Sequence, residues 1–129
     1  MIKRELIDRS ENLMNEIKEN FNVKRDSNFI KYILDFIEIA DIQEKNEYEK
    51  KQKFLRLLHI AAYKNNLEIF GGGESLVKNF NDFIKNVLCI EKDKEYVIKN
   101  EIFKDLTYDE IKYVFAYTNR LYEIHSKNS

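Results

Sequence analysis

Apolar residues recur along most of this chain at intervals of three and four, the spacing that gathers side chains on one side of an α-helix. Between residues 2 and 21, Ile2, Leu6, Ile7, Leu13, Met14, Ile17 and Phe21 fall within an arc of roughly 140° at ~100° per residue. That pattern predicts an amphipathic surface helix. A second helix follows, with Asp26 or Ser27 as its expected N-cap, because a short side-chain oxygen can accept from the free amides of the first turn. Its apolar residues, from Phe29 to Ala40, cover roughly 220° of the helical wheel. Only Lys31, Asp35 and Glu38 are left as a polar strip. Such a helix is either central or covered by a further partner.

A third helix is expected from about Glu44 to Asn65, with Phe54, Leu55, Leu57, Leu58, Ala61 and Ala62 turned inward and Asn65 and Asn66 ending it. Whether it is continuous with the second is open, since the intervening ADIQEKN holds no strong breaker. In the fourth helix Leu76, Val77, Phe80, Phe83, Ile84, Val87 and Leu88 keep the helical period. Residues 95–103 read as a short helix or an extended piece, and helix is the favoured reading.

The last helix begins at a capping box, in which Thr107 accepts from the Glu110 amide and Glu110 reaches back. Ile111, Val114, Phe115, Leu121 and Tyr122 form its core stripe. Tyr113, Tyr117 and Ile124 form a second stripe beside the first, and together they span roughly 200°, about twice what a surface helix needs. A small bundle has room for one central helix and seldom two. One of the two over-wide helices is therefore expected to face a partner, and tyrosine suits that role because its ring is apolar and its tip polar.

Composition agrees with helix throughout. The 129 residues include no proline and only three glycines, Gly71, Gly72 and Gly73. The expectation is an all-α protein, a single compact bundle of five or six helices over residues 1–129, with 126–129 frayed. The glycines read as a turn between helices three and four that allows positive φ. They follow Leu67, Ile69 and Phe70, which are expected to be anchored. Gly73 or Ser75 would cap helix four, with Glu74 near its positive end. A phosphate cradle is the weaker reading, because the GxxxxGK[ST] pattern is not met and Glu74 would repel the anion.

Charge narrows the function classes. With 22 basic and 23 acidic residues the net charge is −1, which leaves no global footprint for nucleic acid. Two local clusters keep that class open: Lys50, Lys51, Lys53 and Arg56 on helix three, and Lys112 with Tyr113, Tyr117 and Arg120 on the last helix. His59, His125 and the single Cys89 lack metal-ligand spacing, so no metal or other cofactor is expected. Cys89 follows an apolar stripe and reads as a small buried hydrophobe. No signal peptide and no membrane span is expected, and the predicted location is the cytoplasm.

The function expected on these grounds is non-enzymatic: a helical interaction protein that binds a protein partner or itself, as a homo-oligomer. Its interface candidates are Tyr113, Tyr117, Arg120 and Ile124. The alternative is a small nucleic-acid-binding subunit of a larger complex, using Lys50, Lys51, Lys53, Arg56 and Lys112.

Overall fold

A computed structural model describes residues 1–63 and 73–127. Five α-helices pack together with a small two-stranded sheet, so the all-α expectation holds. The helices are α1 (Lys3–Asn20), α2 (Ile30–Gln43), α3 (Glu47–Tyr63), α4 (Glu74–Asp82) and α5 (Tyr108–Lys127). A π-helical turn, Phe83–Val87, continues α4.

The order of packing explains the wide apolar arc of α2. It lies against both α3 and α5, while α5 also packs on α1. Ile30, Ile33, Phe36, Ile37 and Ala40 are buried, and Tyr32, Leu34 and Ile39 are half-buried against the same core. The wide apolar arc of α2 is thus covered within the fold by α3 and α5. The helix is separate from α3, with Asn46 capping the second of the two by accepting from the Glu49 amide at 2.8 Å. The expected caps Asp26 and Ser27 lie outside the helix that begins at Ile30. Asn28 serves instead, its Oδ1 accepting from the Ile30 amide at 2.9 Å. Asp26 accepts from the Asn22 amide at 3.0 Å within the connecting turn.

Aromatic rings fill both ends of the core. Phe29 lies 4.9 Å from Phe21, 4.9 Å from Phe83 and 5.9 Å from Tyr122, centroid to centroid. Toward the other end of α5, Phe54 meets Phe115 at 5.8 Å and Tyr108 at 6.2 Å, and Phe103 stacks on Phe115 at 5.1 Å. Where α1 crosses α5 the contact is polar and small. Ser10 and Thr118 are fully buried there, and the Ser10 hydroxyl donates to the Leu6 carbonyl at 2.7 Å.

Residues 95–103 correct the sequence reading. They are not one helix. Strands β1 (Ile90–Lys92) and β2 (Tyr96–Ile98) form an antiparallel hairpin, followed by a 3₁₀ turn at Glu101–Phe103. Two features override the helical pattern. Cys89 adopts φ 54°, which turns the chain out of the π turn into β1. Then Ile90 pairs with Ile98, and β-branched side chains facing one another suit a strand pair. Asn100 locks the return: its Nδ2 donates to Glu16 at 2.9 Å and to the Val87 carbonyl at 2.8 Å, and its Oδ1 accepts from the Ile102 amide at 2.8 Å. Arg9 on α1 clamps the 3₁₀ turn by donating to the carbonyls of Ile102 and Lys104 at 2.8 and 2.7 Å.

Gly73 is the N-cap of α4 with φ −71°, and its carbonyl accepts from the Val77 amide at 3.1 Å. It needs no positive φ, and Ser75 does not cap. Gly71, Gly72, Leu67, Ile69, Phe70, Asn65 and Asn66 lie outside the described residues. The last helix runs on through Ser126 and Lys127, two of the four residues expected to fray.

Candidate functional site

The capping box of α5 forms as the sequence implies. Glu110 accepts from the Thr107 amide at 2.9 Å, and Thr107 accepts from the Glu110 amide at 3.2 Å. The Thr107 amide, joined by the N-terminal amine 3.1 Å away, holds the Glu110 carboxyl below its ordinary range. From this start the helix presents Tyr113, Tyr117, Arg120 and Ile124 at steps of four, three and four, which keeps them on one side. The rings of Tyr113 and Tyr117 stack at 6.1 Å and 17°, and both residues are half-buried. Arg120 is exposed, and Ile124 is 53% exposed. This stripe lies across α5 from Ile111, Val114, Phe115, Thr118 and Tyr122, which are buried, although Tyr113 also packs against the edge of the core.

Lys112 does not join that stripe. Its ammonium pairs with Asp41 on α2 at 3.1 Å and with Asp109 at 3.5 Å, and lies 5.3 Å from the Tyr108 ring. Burial opposes the charge, but the two carboxylates outweigh it and raise the Lys112 pKa. Asp41 also holds Lys50 at 3.8 Å. Lys51 donates to the Leu106 carbonyl at 3.4 Å. Three of the five basic candidates are therefore engaged within the fold.

The other two, Lys53 and Arg56, line a groove of about 400 Å³ between α3 and the hairpin. Gln52 anchors its floor, donating to the Tyr96 carbonyl and accepting from the Tyr96 amide, each at 2.9 Å. At its rim Tyr48, 60% exposed, donates to Glu95 at 2.6 Å. Lys92 and Lys94 enter from the hairpin. One turn further along α3, His59 stacks on Tyr63 at 4.3 Å and meets the edge of Tyr96 at 5.5 Å. Lys85 stands 4.6 Å from the Tyr63 ring and Lys92 5.6 Å from that of Tyr96. Burial, and then the charge of Lys92, hold the His59 pKa below the ordinary histidine value, so the ring is neutral at pH 7.

The hairpin contribution to this groove was missed because 95–103 reads as helix. The available signal was the polar EKDKE segment between Ile90 and the Tyr96-Val97-Ile98 run, a short polar turn bounded by strand-favouring residues. Cys89 is half-buried, with Sγ 3.5 Å from the Asn86 carbonyl. Among the described residues no group of three or more His, Cys, Asp or Glu could hold a metal ion. No described helix is long and apolar enough to cross a membrane.

No family model, no curated protein and no solved structure matches the chain.

Proposed function

We propose that this chain is a non-catalytic helical interaction protein of the cytoplasm that acts by binding protein through the outer face of α5, with a second copy of itself as the first occupant. The observation that carries this reading is the stacked pair Tyr113 and Tyr117, continued by Arg120 and Ile124 on the side of α5 opposite its buried stripe, with Tyr113 at the edge of the core and Ile124 exposed. Rigid tyrosine rings lose little entropy on association and bury large area, which favours them at interfaces.

The face is self-complementary in an antiparallel arrangement. One midpoint along α5 lies halfway between Tyr113 and Ile124 and also halfway between Tyr117 and Arg120. A two-fold axis there would bring Tyr113 against the partner's Ile124 and Tyr117 against the partner's Arg120, a cation over a ring. Antiparallel helices also oppose their dipoles favourably. The exposed Met1 and Ile2, tethered near Tyr113 by the bond from the N-terminal amine to Glu110, would extend the apolar area. The non-catalytic part rests on the sequence, which carries none of the common catalytic spacings.

Light scattering coupled to size exclusion tests this directly. A concentration-dependent dimer is expected, and Tyr117→Glu should return it to a monomer whose helical circular dichroism is unchanged and whose melting temperature no longer rises with concentration. A monomer at ~100 µM, weaker than the micromolar affinities of typical specific complexes, would remove self-pairing. A dimer indifferent to Tyr117→Glu would place the interface elsewhere.

A further inference from the structure

We infer that the groove between α3 and the β hairpin is a binding site for single-stranded nucleic acid, independent of the α5 face. Proteins that hold single strands without reading sequence combine cations for the phosphates with aromatic faces for the bases. Both components occur here, and in alternation. Tyr48, Tyr96 and Tyr63 follow one another across the groove and beyond it, with His59 packed between the last two. Lys53, Arg56, Lys92 and Lys94 lie among the first two rings, and Lys85 lies by the third.

The state of these cations separates them from Lys50 and Lys112, which carboxylates of the fold engage. Lys50 pairs with Asp41, and Lys112 pairs with Asp41 and Asp109, so two carboxylates offset these two charges. Lys53, Arg56, Lys85, Lys92 and Lys94 form no ion pair with another described residue. Lys85 and Lys92 rest instead over tyrosine rings, a contact that leaves the positive charge available to an anion. The groove also contains Glu44, Glu49 and Glu95. Glu95 already accepts from Tyr48, so part of its field is taken up by that bond. Four cations against three carboxylates give a local surplus that is small, and the expected affinity is correspondingly modest and strongly dependent on salt.

Single strands fit better than a duplex for a geometric reason. A duplex offers phosphates on a regular surface and hides its base faces, so three tyrosines among the cations would have nothing to stack on. Tyr48 is 60% exposed and available to a base without rearrangement of the core, while Tyr63, 51% exposed, carries His59 and Lys85 on its ring and would take a base once the Lys85 side chain swings aside.

The experiment is a fluorescence-anisotropy titration of the full chain with labelled fifteen-nucleotide oligo(U) and oligo(dT). Binding in the micromolar range is expected at about 50 mM salt, falling by tenfold or more at about 200 mM. Lys53→Glu with Arg56→Glu should abolish it, and Tyr48→Ala should weaken it about tenfold. Tyr63→Ala tests the far end of the path in the same way. Thermal melts of each variant confirm that the fold persists. Tyr117→Glu should leave oligonucleotide binding unchanged, which separates failure of this site from failure of the α5 face. No binding at ~100 µM protein in low salt would overturn the inference, as would binding that survives the double charge reversal. Equal competition by a duplex of the same length would overturn it, and so would tighter binding of a poly-glutamate peptide, which would indicate an acidic protein partner.

Discussion

Gln52 on α3 and Tyr96 on β2 are joined by two hydrogen bonds of 2.9 Å, in which one side-chain amide satisfies both backbone groups of the other residue. A carboxamide has the donor and acceptor of a peptide unit, so Gln52 does for the edge of β2 what a further strand would do. The contact sets the hairpin at a definite distance from α3 and thereby defines the groove. Gln52→Ala leaves both groups of a half-buried residue without their partner, at an expected cost of ~1–3 kcal/mol. Urea unfolding measures the loss, and hydrogen exchange at Tyr96 should quicken selectively. Unchanged exchange there would mean the hairpin is held by other contacts.

Thr107→Ala removes one half of the α5 capping box and should destabilise the fold by ~1 kcal/mol. The other half is sensitive to acid. Glu110 has a folded pKa below its unfolded value, so its contribution is present above the ordinary carboxylate range and is lost as pH falls through the folded pKa. Melting temperatures of the native chain and of Glu110→Gln should differ most above about pH 5 and converge below the ordinary glutamate pKa of ~4.3. A constant difference across that window would contradict the assignment.

Two buried tyrosines carry the opposite dependence. Burial, with the charge of Asp26, pushes Tyr122 up to about 12, and burial with Asp41 raises Tyr108 further. Their folded pKa values exceed the unfolded one of ~10, so the stability they add is complete below pH ~10 and declines as pH rises above it. Ultraviolet titration should find these two ionising above the ordinary tyrosine value of ~10. Tyr108→Phe loses the bond to the Ile37 carbonyl at 3.2 Å and should cost ~1 kcal/mol at neutral pH, while flattening the alkaline decline.

Phe29 joins the turn after α1, the π turn and the end of α5 through Phe21, Phe83 and Tyr122. It is fully buried. Phe29→Ala should cost ~3–5 kcal/mol, a large share of the ~5–15 kcal/mol that holds a domain together. Phe29→Leu keeps most of the volume and should cost distinctly less. Denaturant midpoints for the pair distinguish a true core position from a surface ring, for which both losses would be small.

The helices were legible in the chain because their signal is local. A period of 3.6 in apolar residues, the absence of proline, and the Thr107–Glu110 spacing are properties of neighbouring positions, and they placed the five α-helices without reference to any distant contact. The alignment of Tyr113, Tyr117, Arg120 and Ile124 along one side of α5 was legible for the same reason. Whether a wide apolar arc is central or outward is a different kind of fact. It depends on which helices flank it, and only packing decided that α2 is covered by α3 and α5 while the second stripe of α5 runs from Tyr113 at the edge of the core to an exposed Ile124. The hairpin was hidden because its local preference is weak and its stabilising partners lie far off in sequence: Gln52 on α3, Glu16 on α1, and Arg9 clamping the turn that follows. The charge of a lysine was equally undecided. Lys50 and Lys53 look alike in the chain and lie on neighbouring positions of one helix face, yet one reaches Asp41 on α2 and the other lines the groove, because what each meets is set by the elements packed on either side of α3.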